Sequence, residues 1–135
     1  MNPGYLKAVP ARSIARRIGL ARVGLGIGLL AAPGSVAPLA GIDTGTARRM
    51  TWLTRMTAAR DLALGTGTLA ALRSGGDATR WLALGAAADL ADMVILADAI
   101  RQGRLGRVRG AGMAASAAGG ALVGSVAALG MRSRQ

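Results

Sequence analysis

Arg22, Arg60, Asp61, Asp89 and Asp92 stand inside long apolar stretches of a 135-residue chain. Guanidinium groups take carboxylates in bidentate, charge-assisted hydrogen bonds, and a carboxylate held in apolar surroundings is a candidate for binding or relaying a proton. Asp89 and Asp92 are three apart and share a helix face, so both can meet one partner helix. A second pair, Arg55 and Asp98, falls at matching depth nearer the helix ends. Other chemistries are excluded by composition. With no Cys and no His, the chain has no thiolate or imidazole to act as nucleophile, general base or metal ligand. No catalytic residue, metal site or cofactor is expected, and the chain reads as a non-enzyme.

The elements that must position these charges are helices. The apolar pattern gives four, at about 11–32, 48–72, 78–100 and 111–131, with no strand, in a single domain over 1–135. Pro33, Gly34 and Pro38 end the first. Arg73-Ser-Gly-Gly-Asp77 turns the second into the third, and two glycines in Gln102-Gly-Arg-Leu-Gly106 separate the third from the fourth. About the Gly75–Gly76 turn, residue numbers at one depth add to about 151. Arg60 is therefore level with position 91, Asp61 with Leu90, and Arg55 with Leu96, within reach of Asp98. Arg22 lies midway along the first helix. Two arginines and three aspartates thus belong to one layer.

Lipid is the expected solvent. Hydrophobic residues make up 52% of the chain, and Ala111 to Met131 carries no charge between flanking arginines. At about 1.5 Å per residue, such a run matches a hydrocarbon layer of roughly 30 Å. Trp52 and Trp81 open the second and third helices and fall at opposite faces, where indoles are enriched. An isolated ion at the bilayer centre costs about 2.5–3.5 kcal/mol. The five charges are therefore expected to face inward and meet. Thr54, Thr57, Asp61, Gly65 and Thr68 form a small and polar stripe to receive them, and Gly19 and Gly26 flank Arg22. The layer either holds the helices in register or forms a functional polar site.

Small residues mark a packing surface. Gly112, Ser116, Gly120, Gly124 and Ala128 recur every four residues along the fourth helix, and Gly24 and Gly28 repeat the spacing in the first. Such a ridge serves packing within the bundle, or contact with a second copy or a membrane partner subunit. The net charge of +11 comes from arginines at helix ends, where they meet anionic lipid. No aromatic residues are interleaved to stack bases, so nucleic acid is not an expected partner. Basic clusters before the first helix and after the third do not select an orientation, and both termini are placed on the cytoplasmic side. Arg16, Arg17 and the apolar run to Ala32 resemble a leader but stand too far into the chain, so cleavage is not expected. Gly24-Leu-Gly-Ile-Gly28 lacks the spacing and the preceding strand of a dinucleotide site.

With Arg60-Asp61-Leu62-Ala63-Leu64-Gly65 in its second helix, the chain resembles an uncharacterised family of small four-helix integral membrane proteins that carry an Arg-Asp-Leu-x-Leu-Gly motif. The resemblance covers about Ile18 to Ile100 and implies a membrane location, four helices and no activity. The expected protein is a polytopic, all-α bundle of the cell membrane, with an accessory or interaction role. The alternative is a small-solute or proton transporter that uses the Asp/Arg cluster.

Overall fold

The computed structural model describes residues 3–35, 38, 42–104 and 107–132, with side chains described at 11–35, 38, 42–104, 115 and 117–131. It is all-helical, with no strand among the described residues: α1 Pro3–Ala31, α2 Thr44–Arg49, α3 Thr51–Arg73, α4 Thr79–Arg101 and α5 Arg107–Arg132. Five helices replace the four expected. The segment near 48 is broken at Met50, whose N–H bonds back to Thr46 O and Ala47 O and closes α2 before α3 begins. Asp43 caps α2 by accepting from Thr46 N at 3.0 Å, and that bond holds its carboxyl below the usual carboxylate range. The first helix starts at Pro3 rather than near 11, since a proline in the first turn lacks only an N–H that has no intrahelical acceptor there. The last starts at Arg107 rather than 111.

Both expected turns follow from glycine. Gly75 and Gly103 take positive φ (70° and 71°), one residue past the caps of α3 and α4. The next N–H then reaches back: Gly76 N to Ala71 O, and Arg104 N to Ala99 O, each at 2.9 Å. These are Schellman closures, which satisfy carbonyls that the helix itself cannot.

α1, α3, α4 and α5 run alternately up and down. Gly19 faces Gly65 and Leu69 while Gly26 faces Ala58 and Leu62, so α1 and α3 are antiparallel. Gly120 meets Asp89 and Gly124 meets Ala86, so α4 and α5 are antiparallel as well. These two pairs pack most extensively. They join where Ala15, Leu82, Ala127 and Ala128 form a buried cluster, with Ile18, Leu72 and Met131 against it. The start of α1 and the end of α5 lie at that same end, with Ala11 beside Gly130.

Small and polar side chains make up most of the interior, with Leu29, Leu64 and Leu82 as its large apolar members among the described residues. Buried positions include Ala15, Ala58, Ala78 and Ala86 beside Asp61, Thr68 and Thr79, and Thr68 is the largest side chain with essentially no exposure. Its hydroxyl donates to Leu64 O at 2.8 Å, which satisfies it within its own helix. Many other large apolar side chains point outward: Leu25, Ile27, Val94, Ile95, Leu122 and Val126 are 50–68% exposed. Among the described residues, no helix is long and apolar enough to cross a membrane, which departs from the four spans expected. Charges recur along α1, α3 and α4, and α5 takes its length from Ala and Gly more than from Leu and Val.

A buried arginine and aspartate layer as the candidate site

Arg22 reaches out of α1 and links two other helices. Its Nη1 donates to Asp61 Oδ1 on α3 at 2.5 Å, and its Nη2 donates to Asp89 Oδ2 on α4 at 2.5 Å and to the Gly85 carbonyl at 3.2 Å. Arg60 on α3 grips Asp92 on α4 with both terminal nitrogens, at 2.9 and 2.8 Å. A longer contact of 3.7 Å joins Arg60 Nη2 to Asp61 Oδ1. The five side chains form a chain of alternating sign in the order Asp92, Arg60, Asp61, Arg22, Asp89. Each guanidinium separates two carboxylates, so like charges never adjoin. With three acids and two bases, the layer has a formal charge of −1.

Exposure grades along this chain. The Asp61 side chain is 4% exposed and those of Arg22 and Asp89 are 13%, whereas Arg60 and Asp92 stand at 32% and 34%. The centre is dry and the Arg60–Asp92 flank opens outward. Arg60 Nε is buried without a hydrogen-bond partner among the described residues. An open cleft of about 590 Å³ reaches the two terminal carboxylates of the chain, with Arg22, Asp89 and Asp92 among its lining and Ile18, Leu25 and Val123 on its walls.

Local packing sets these positions. Gly65 lies one helical turn from Asp61, and a Cβ there would stand 2.8 Å from Gly19 O and 2.9 Å from Val23 N. Glycine at both positions therefore lets α1 approach α3 closely beside Arg22 and Asp61. Gly120 does the same for the far end: a Cβ would fall 2.6 Å from Asp89 Oδ2, so α5 leaves a notch that the carboxylate fills. Gly85, one turn before Asp89, would bring a Cβ to 3.1 Å from Arg22 Nη2. The parts played by Gly85 and Gly120 are not read from the sequence alone. The available signal was the spacing of four between Gly85 and Asp89 on one helix face.

Arg22, Arg60, Asp61, Asp89 and Asp92 thus come together. Arg55 and Asp98 do not. Asp98 accepts from Arg101 Nη2 at 2.9 Å and from Gln102 Nε2 at 2.5 Å, both on its own helix or its cap. Arg55 lines a separate groove with Leu30, Arg48 and Trp52, beside the end of α1. Equal depth does not fix direction around a helix axis, and partners three and four residues away are already on the Asp98 face. On α5, Gly120, Gly124 and Ala128 face α4, whereas Gly112 and Ser116 lie outside the residues whose side chains are described. Gly24 and Gly28 point away from the bundle, with nothing within 4 Å of a Cβ at either; Gly19 and Gly26 make the α1 contact instead.

Trp52 and Trp81 lie towards opposite ends, Trp52 being 63% exposed and Trp81 resting its ring against Gly67. No group of three metal-ligating side chains occurs among the described residues. No family model, curated protein or solved structure matches the chain.

Proposed function

We propose that the chain is a multi-pass integral membrane protein of the cell membrane, with the non-enzymatic role of an accessory or interaction subunit held in register by its Arg/Asp layer. The observation that carries this reading is the inverted polarity of the bundle. Leu25, Ile27, Val94, Ile95, Leu122 and Val126 face outward, while Asp61, Thr68, Arg22 and Asp89 face in. Water drives large apolar side chains inward at about 25 cal/mol per Å². Hydrocarbon removes that drive and drives charges to meet one another instead. No described helix is apolar enough by itself, so the reading rests on where the side chains point, and on insertion as an assembled bundle.

The packing role follows from the layer's bonding. Its central carboxylate is dry and faces a guanidinium on each side, and every link within it joins one helix to another except Arg60 to Asp61. Its partners are the bilayer and, at the outward faces, a second copy or a membrane partner subunit. Alkaline carbonate extraction of cell membranes tests the location: the chain stays in the pellet and needs detergent for release. Recovery as a monodisperse species in plain buffer would overturn it.

A second reading, a small-solute or proton transporter, is favoured by the cleft that reaches Arg22, Asp89 and Asp92. It requires a pH or solute flux in proteoliposomes that Asp89→Asn and Asp92→Asn abolish. Absence of flux in the unmodified protein removes it.

A further inference from the structure

Three arginines surround an apolar groove between α1 and α3, at the end of the bundle where α1 begins and α5 ends. Arg12, Arg16 and Arg73 line it, and Leu20, Leu69 and Leu72 form its walls around a volume of about 450 Å³. None of the residues lining it is acidic. Arg12 is fixed there, because its Nη2 donates to the Leu72 carbonyl at 2.9 Å in the last turn of α3. Arg16 lies one turn from Arg12, and Arg73 closes α3 beside them. Neither Arg16 nor Arg73 enters a salt bridge among the described residues. Three cations with no salt bridge among the described residues are thus gathered within one groove, although they repel each other.

We infer that this groove binds the phosphate of an anionic phospholipid, with an acyl chain lying along Leu20 and Leu69. Planar guanidinium groups recognise phosphate oxygens bidentately. A lone inorganic anion would use the arginines and leave the leucines wet. A phospholipid uses both, since its charge sits at the helix ends and its chain runs towards mid-depth. Leu20 is 52% exposed and continues the wall towards the apolar outer face of α1, where Leu25 and Ile27 are also exposed. The groove therefore has a charged mouth and an apolar exit in the order that a lipid presents them.

The inference rests on the membrane reading above, and one experiment separates the two. The full chain is reconstituted in phosphatidylcholine vesicles with trace spin-labelled phosphatidylglycerol or spin-labelled phosphatidylcholine, and the motionally restricted fraction is measured. No restricted fraction with either label means the chain is not embedded, and overturns the membrane reading. Restriction of both labels to the same extent leaves the chain embedded and overturns the lipid site. The expected result is selective restriction of phosphatidylglycerol. Arg16→Gln with Arg73→Gln, which keeps the Arg12 to Leu72 bond, lowers that selectivity about tenfold or more. A charge-matched control, Arg101→Gln with Arg104→Gln, retains it. Loss of selectivity in the control to the same degree makes the effect one of net charge and overturns the site. Removal of the selectivity by millimolar inorganic phosphate at constant ionic strength assigns the arginines to a free anion, and also overturns it.

Discussion

The seam between α1 and α3 and the seam that joins both to α4 are built from different materials. Along the first, Gly19, Gly26, Ala58 and Gly65 bring two backbones together, and the one ion pair that crosses it, Arg22 to Asp61, sits beside that backbone contact. Along the second, backbones stay further apart and arginines cross the gap, Arg22 to Asp89 and Arg60 to Asp92. Small residues make a contact that is short in range and tolerant of nothing larger. Long ionic side chains make one that spans a gap but demands that both charges be present. The bundle is therefore two closely packed pairs, α1 with α3 and α4 with α5, locked together at mid-depth by charge and at one end by the Ala15, Leu82 and Ala127 cluster.

The contrast breaks hardest at Arg22. Arg22→Ala leaves Asp89 buried without a counter-ion and Asp61 with only the 3.7 Å contact to Arg60, a loss on the order of 3–5 kcal/mol. Adding Asp61→Asn and Asp89→Asn to it restores much of that stability, and a thermal or denaturant unfolding series in detergent measures both steps. Failure of the triple variant to recover would mean that Arg22 acts by packing rather than by charge.

Overpacking probes the other seam. Gly65→Ala places a Cβ 2.8 Å from Gly19 O, where only backbone can yield, and costs about 1–3 kcal/mol. Gly24→Ala, on the open face of the same pair, is neutral or raises stability by up to about 1 kcal/mol, since nothing lies within 4 Å. Equal effects at the two positions would deny that the α1/α3 seam is sterically tight.

Gly120 tests where the two kinds of contact meet. Gly120→Ala crowds Asp89 Oδ2 and costs about 1 kcal/mol. In an Asp89→Ala background the crowding is gone, so a double-mutant cycle returns a clear coupling. Additive effects would show that α5 does not shape the Asp89 pocket.

The smallest effect belongs to α2, outside both seams. Asp43 caps α2 by accepting from Thr46 N–H and its folded-state pKa is depressed, so its contribution to α2 is present above the ordinary aspartate value of 3.8 and is lost as pH falls through the folded value. Asp43→Ala removes this pH dependence. Amide chemical shifts over 44–49 report it, with no change expected at Arg22 or Arg60.

The depth of the charged layer was legible because a hairpin turned at Gly75 equates heights on its two arms. That arithmetic puts Arg60 within a turn of both Asp89 and Asp92, and Asp61 in the same layer. The direction of each side chain around its helix was not legible. Arg55 and Asp98 share a height and still do not meet, and Gly24 and Gly28 carry a packing spacing on a face that packs against nothing. The break at Met50 was missed although Asp43 is a good capping residue, because the six polar and small residues of α2 carry no apolar period and no Gly or Pro marks the break before α3.

Composition and spacing determined by themselves that this chain is helical, that histidine and cysteine chemistry are absent, and that five charges share one depth. These are consequences of residue type and of a fixed rise per residue. Which aspartate each arginine takes was decided only in three dimensions. Helix rotation is set by the close fit of Gly19 to Gly65 and of Gly120 to Asp89, and a contact between residues far apart in the chain has no signature in either segment read alone.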